Sequence, residues 1–110
     1  MSVMHQELAS GRWNQLSLIE QMANIGSEVE RAFQAQGKNN TERANKAFDR
    51  ALELFDLTLA CSYNVCRLRE IARAREVFAD TFLNKDNDES TEKYLRKYFL
   101  EFAYAVRKNI

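Results

Sequence analysis

Apolar residues recur along this chain at three- and four-residue steps, in four stretches that break at residues 37–40, near 61–64 and at 84–90. That step marks one face of an α-helix. No proline interrupts any of the 110 residues, so nothing removes a backbone donor from a helix interior. The pattern predicts an all-α fold, an up-down four-helix bundle, formed as one domain over residues 1–110 with residues 1–12 as a frayed N-terminal segment. A chain of this length buries roughly two-thirds of its unfolded surface, enough for one core without staples.

The first helix is expected from Trp13 or Ser17 to Gln36. Ser17 and Glu20 fit a capping box, each side chain satisfying a backbone amide left open at the helix start. Leu18, Met22, Ile25, Val29 and Phe33 form its stripe. Gly26 lies within that stripe and costs about 1 kcal/mol relative to alanine, which points to close approach of a neighbouring helix. Gly37 is expected to end the helix as a C-cap.

Thr41 is the expected N-cap of the second helix, which continues to Ala60. Ala44, Phe48, Leu52, Phe55 and Leu59 make its stripe. Leu54, Leu57 and Ala60 widen the apolar arc beyond one facing layer, so this end is either central to the bundle or meets another subunit. The third helix is expected from Asn64 to Leu83. Leu68, Ile71, Ala72, Phe78, Ala79 and Phe82 share a face, with Arg75 near its middle. A guanidinium stays charged and must be paired if buried, which makes Arg75 a buried-charge candidate. Asp56, Glu28 and Glu101 are its possible partners.

The fourth helix is expected after the acidic loop Asp86-Asn87-Asp88-Glu89, capped by Ser90 or Thr91. Tyr94, Leu95, Tyr98, Phe99, Phe102 and Val106 form an aromatic inner face. On the outer face Lys93, Arg96, Lys97, Leu100, Tyr104, Arg107 and Lys108 project together, with no acid near their centre. This mixed stripe suits a solvated face, a protein contact around Leu100 and Tyr104, or a nucleic-acid backbone.

Charge and composition narrow the chemistry. Lys and Arg balance Asp and Glu at 16 each, so any anion binding must come from a local patch. The single histidine, His5, stands in the N-terminal segment, which removes the paired Glu-x-x-His of di-metal bundles and every histidine-dependent triad. Cys61 and Cys66 lack the second ligand pair of a zinc site and read as two semi-buried thiols rather than a redox pair. The run Asp86-x-Asp88-x-Ser90 has Thr91 where a calcium loop turns on glycine, and Lys97 where the bidentate glutamate belongs. Arg67, Arg69, Arg73 and Arg75 diverge around a helix among Glu70, Glu76 and Asp80 and read as a solvated face. Ala44 to Leu59 has the spacing of a tetratricopeptide helix without a second copy. No apolar run approaches the roughly 20 residues of a membrane span, and Met1 to Arg12 has no signal-peptide core. With two cysteines, the expectation is a reduced, cytoplasmic protein with no cofactor.

Arg12-Trp13-Asn14-Gln15-Leu16-Ser17-Leu18-Ile19-Glu20, followed by Asn24-Ile25-Gly26-Ser27-Glu28-Val29, resembles the opening of a small group of bacterial and archaeal all-helical proteins whose function is uncharacterised. Arg69 to Glu76 and Tyr98-Phe99-x-x-Phe102-Ala103 continue the similarity over nearly the whole chain. The resemblance implies a helical fold and supplies no activity. The arginine-to-histidine motif of HEPN ribonuclease bundles has no counterpart, because no histidine follows any arginine of the third helix.

The function these residues predict is a non-enzymatic, oligomeric interaction or accessory module. Its expected form is a homodimer, or a complex with another protein, through Leu54, Leu57, Leu100 and Tyr104. The alternative is a nucleic-acid-binding accessory protein using Lys93, Arg96, Lys97, Tyr104, Arg107 and Lys108. A third is a small anionic ligand held by Arg75 and Tyr98.

Overall fold

The structure is a computed structural model that describes residues 11–61, 66–84 and 89–108. It is an all-α four-helix bundle: α1 Leu18–Gly37, α2 Thr41–Leu59, α3 Leu68–Leu83 and α4 Glu89–Lys108, preceded by a 3-10 turn at Trp13–Gln15. Each helix packs on the next, and α4 closes the ring on α1. Cross-helix pairs give the directions. Glu28 meets Arg50 across α1 and α2. Phe48 stacks on Phe82 while Asp56 pairs with Arg75, so α2 and α3 run antiparallel. Glu30 meets Arg96 and Gly26 meets Phe99, so α1 and α4 do too. The topology is therefore up-down-up-down.

Local chemistry sets the boundaries. Both halves of the Ser17–Glu20 capping box form, at 3.0 and 3.2 Å, and together they hold the Glu20 carboxyl below its usual range. The turn after α1 differs from expectation. Gly37 is the last helical residue, and the left-handed position is Asn39, at φ 59°. Asparagine tolerates that region better than other side chains. The Asn40 amide donates to the Ala35 carbonyl at 2.9 Å and the Asn39 amide to Gln36 at 3.0 Å, which is a Schellman closure. Asn40, not Thr41, then caps α2 by accepting from the Arg43 amide at 3.2 Å. One asparagine thus stops a helix and the next starts another. α3 begins at Leu68; Asn64, its expected start, lies outside the described residues, as do the N-terminal stretch 1–10 with His5 and the acidic loop 85–88. Ser90 and Thr91 sit inside the first turn of α4 rather than at its cap.

The core is aromatic in its middle. Phe78 lies within 5.3 to 6.2 Å of the rings of Phe33, Phe48, Phe55 and Phe82. Such edge and offset contacts add about 0.5–1.5 kcal/mol per pair beyond burial. The buried stripe of α2 differs from the expected one: Ala47, Ala51 and Leu54 are inside, while Leu52 and Leu59 lie half-buried at its edges. Because α2 packs on two neighbours, its buried arc is wide, and the alanines let α1 come close. On α3 the buried alanine is Ala74 and Ala72 faces outward. On α4 only Leu95 and Phe99 are fully inside; Tyr98, Phe102 and Val106 are half-buried and Tyr94 is exposed.

Trp13 is deeply buried, which its place ahead of the first helix did not announce. Its indole N–H donates to Thr58 Oγ1 at 3.0 Å, and Thr58 in turn donates to the Leu54 carbonyl at 2.9 Å. The buried Gln21 amide donates to the Trp13 carbonyl at 3.0 Å, and the Cys61 thiol lies 2.8 Å from Asn14 Oδ1. This polar network closes one end of the bundle with its buried groups partnered.

Candidate functional site

α1 is flanked by two grooves. On the α4 side, the missing side chain of Gly26 admits Phe99 so closely that a Cβ there would stand 2.7 Å from Phe99 Cβ. Ala23, Ser27 and Ala103 add further small side chains, and together they floor a groove of about 630 Å³. Leu100 stands at its edge, 48% exposed, and Tyr104 follows one turn on, 54% exposed. The Arg107 guanidinium lies 5.6 Å from the Tyr104 ring centroid, a cation–π distance. Arg31, Arg96, Lys97 and Arg107 line the rim with Glu30 the one acid among them.

Arg96 does not project with the basic stripe in which the sequence placed it. Its Nε donates to Glu30 Oε2 at 2.9 Å and its Nη1 to Glu92 Oε2 at 3.0 Å. The acid at the centre of the stripe comes from α1, which spacing along α4 cannot reveal. The hydrogen bond from Arg96 holds the Glu30 carboxyl below its usual range, against the opposing effect of partial burial. Lys93, Lys97, Arg107 and Lys108 remain exposed and make no ion pair among the described residues.

The helix-two candidates separate. Leu54 is 3% exposed and belongs to the core, and Leu57 is half-buried against it. The wide apolar arc serves the bundle itself because α2 touches both α1 and α3. Leu54 is therefore covered within the bundle, and of the four apolar candidates the outward ones are Leu100 and Tyr104.

Arg75 lies at the α2–α3 seam rather than in the core. Its side chain is 34% exposed and its Nε donates to Asp56 Oδ1 at 2.9 Å. Tyr98 turns to the other flank of α3, where its hydroxyl donates to Glu70 Oε1 at 2.7 Å. Burial first, and then the Glu70 carboxylate, push the Tyr98 hydroxyl up from its ordinary range. Arg75 and Tyr98 are thus engaged with different partners on opposite flanks, and the structure does not bring them together around a ligand. A smaller groove of about 300 Å³ between α3 and α4 is walled by Tyr94, Val77 and Leu95.

The groove on the α2 side of α1 was not anticipated. It measures about 600 Å³ and carries Arg31, Lys38, Arg43, Lys46 and Arg50, with no acid in its lining. The signal was present as spacing: Arg31 and Lys38 stand seven apart on α1, and Arg43, Lys46 and Arg50 stand three and four apart on α2. It becomes a site only once the helix hairpin brings the rows side by side. Beneath it the buried Glu28 accepts from Arg31 at 2.9 Å and from Arg50 at 3.1 Å, which fixes both guanidiniums at the groove wall.

Neither cysteine is disulfide-bonded; Cys61 is buried and Cys66 exposed, rather than both semi-buried. Among the described residues no group of three His, Cys, Asp or Glu is placed to hold a metal ion, and no helix is long and apolar enough to cross a membrane. No protein-family model matches the chain, and no curated protein or solved structure matches it either.

Proposed function

We propose that the protein is an interaction module that binds a partner polypeptide on its α1/α4 face. The observation that carries this reading is the groove floored by Ala23, Gly26 and Ala103, with Leu100 at its edge and Tyr104 beyond. Small side chains let an incoming helix lie close. The exposed Tyr104 beside them supplies an anchor of the kind that dominates interface energetics, and Leu100 adds apolar area to it. The rim sets the chemistry of the occupant. Lys97 and Arg107, exposed and without an ion pair among the described residues, favour an amphipathic helix whose apolar stripe is flanked by Asp and Glu. A homodimer through the same groove is the competing form. There the rim would meet its own like charges across a two-fold axis, which costs binding energy.

The test uses two designed amphipathic peptides with the same leucine face, one flanked by glutamates and one by lysines, titrated by fluorescence anisotropy. The glutamate peptide should bind, and Leu100→Glu should abolish its binding without lowering the helical signal. Equal binding of both peptides, or no binding of either, would refute the reading. Light scattering coupled to size exclusion, at low and high salt, covers the dimer. A salt-resistant dimer that Leu100→Glu splits would make a second copy the occupant.

A further inference from the structure

The α1/α2 groove has a different character from the α1/α4 face. We infer that it binds the sugar–phosphate backbone of single-stranded nucleic acid, without sequence preference. Three observations lead there.

The first is the arrangement of charge. Arg31 on α1 and Lys38 at its C-cap are two helical turns apart, as are Arg43 and Arg50 on α2, so each row spans about 10 Å. The antiparallel hairpin places the rows on facing walls with Lys46 between the ends of its own row. A lone phosphate would meet two of these side chains. A linear polyanion meets all of them.

The second is which charges are already compensated. Lys38 and Arg43 are exposed and make no ion pair among the described residues. Arg31 and Arg50 are held from behind by Glu28, whose side chain is 10% exposed. That leaves their remaining N–H donors turned from the carboxylate and pre-ordered, which lowers the entropy cost of meeting a phosphate. Lys46 pairs with Glu42 at 3.3 Å, a contact exposed on both sides and weak against a competing polyanion.

The third is what the groove lacks. Its apolar contribution is limited to Ala35 and Ala47, and no aromatic or large aliphatic side chain lines it. A protein partner needs a buried anchor of that kind for most of its binding energy. Stacking recognition of bases needs aromatic faces. Backbone phosphates need only positioned cations and donors. With the helix axes packed roughly 8–10 Å apart, the valley between α1 and α2 is narrow, and a duplex would rest on its ridges and reach fewer of the cations. A single strand fits between them.

The assay is anisotropy of a labelled oligothymidine with the full chain, at several salt concentrations. With each phosphate held between facing cations, a strand crossing the groove engages about three phosphates, so the slope of log affinity against log salt should be about −2, a loss of about 20-fold between 50 and 200 mM. The pair Lys38→Glu and Arg43→Glu should weaken binding at least tenfold and flatten the slope by about 0.7 or more. The milder pair Lys38→Gln and Arg43→Gln should act in the same direction, and serves if the charge reversals disturb the turn. Lys97→Glu with Arg107→Glu on α4 should leave oligothymidine affinity within twofold. No binding at low salt would overturn the inference, as would binding indifferent to the Lys38 and Arg43 changes or lost instead through Lys97 and Arg107. A duplex of equal charge binding as tightly would overturn the single-strand assignment, and polyglutamate binding as tightly would overturn the nucleic-acid one.

Discussion

Alanine at Gly26 and at Gly37 should change stability in opposite directions, although both glycines belong to α1. In each case the helix gains propensity, about 1 kcal/mol at an interior position and about half that at the last residue, where less of the helix is constrained. At Gly37 the new methyl meets nothing within 4 Å, and the substitution keeps that gain. At Gly26 it would stand 2.7 Å from Phe99 Cβ, 3.2 Å from Cγ and 3.3 Å from Cδ1. Ordinary carbon contacts are about 3.5–4.0 Å, so the overlap is about 1 Å. Rotating the Phe99 ring does not relieve it, because Cβ is fixed to the α4 backbone. The two helices must separate, loosening Phe99 and the small-residue floor around it. Overpacking of this kind costs about 1–3 kcal/mol, and the larger values apply where backbone has to move. Set against the propensity gain, Gly26→Ala should be destabilised by about 1–2 kcal/mol, or about 5–10 °C in melting temperature for a domain of this size. Gly37→Ala should melt about 2–4 °C higher than the parent. Thermal and urea unfolding followed by circular dichroism would measure both. A Gly26→Ala protein melting at or above the parent would refute the close approach of α1 and α4, and the groove built on it.

Thr58→Val removes the acceptor of the Trp13 indole inside the closed end of the bundle, which should cost about 1–3 kcal/mol; the single tryptophan reports the unfolding midpoint directly by fluorescence. The Glu30 carboxyl sits below its ordinary value of 4.5 in the folded protein, so the folded state holds fewer protons than the unfolded one as the pH falls through that range. Its contribution is present above the unfolded value and lost as pH drops through the folded one. Glu30→Gln should therefore lower the urea midpoint at neutral pH and match the parent in acid; a constant difference across pH would contradict the pairing with Arg96. Cys66 should react with a thiol reagent in the native state and Cys61 only after unfolding, since one is exposed and the other buried; Cys66→Ser should remove the fast phase, and a fast phase that survives it would place Cys61 at the surface.

Local chemistry made much of the bundle legible in the sequence. The α1 stripe, the Ser17–Glu20 box and the glycine at position 26 depend on a single helix and its immediate neighbour, and each appears where the pattern put it, whereas the stripes of α2, α3 and α4 shift at Leu52, Leu59, Ala72 and Tyr94. The α1–α2 turn was misassigned by one or two residues because Gly37, Asn39, Asn40 and Thr41 all have turn or cap chemistry. Only the carbonyls available to accept decide which of them takes each role. Trp13 escaped notice because its burial depends on Thr58 and Gln21, which are distant in the chain or unremarkable in it.

The candidate sites show the same division more sharply. Helical periodicity sorts each helix into an inner and an outer face, and that placed Leu100 and Tyr104 outside. It says nothing about which flanks of two helices meet. Leu54 and Leu57 looked surplus on α2 and are absorbed because two neighbours cover that arc. Arg96 looked like part of a bare cationic stripe and is neutralised by Glu30 of the neighbouring α1, with Glu92 beside it. Arg75 looked central and sits at a seam, paired with Asp56. Five cations that seemed scattered through α1 and α2 line one groove. Helix formation, helix number and the outward faces follow from interactions among residues within a turn or two, so the amino-acid order alone determined them. Which charges cancel, which leucines stay outside and where the grooves run depend on contacts between helices, and those exist only once the bundle has closed.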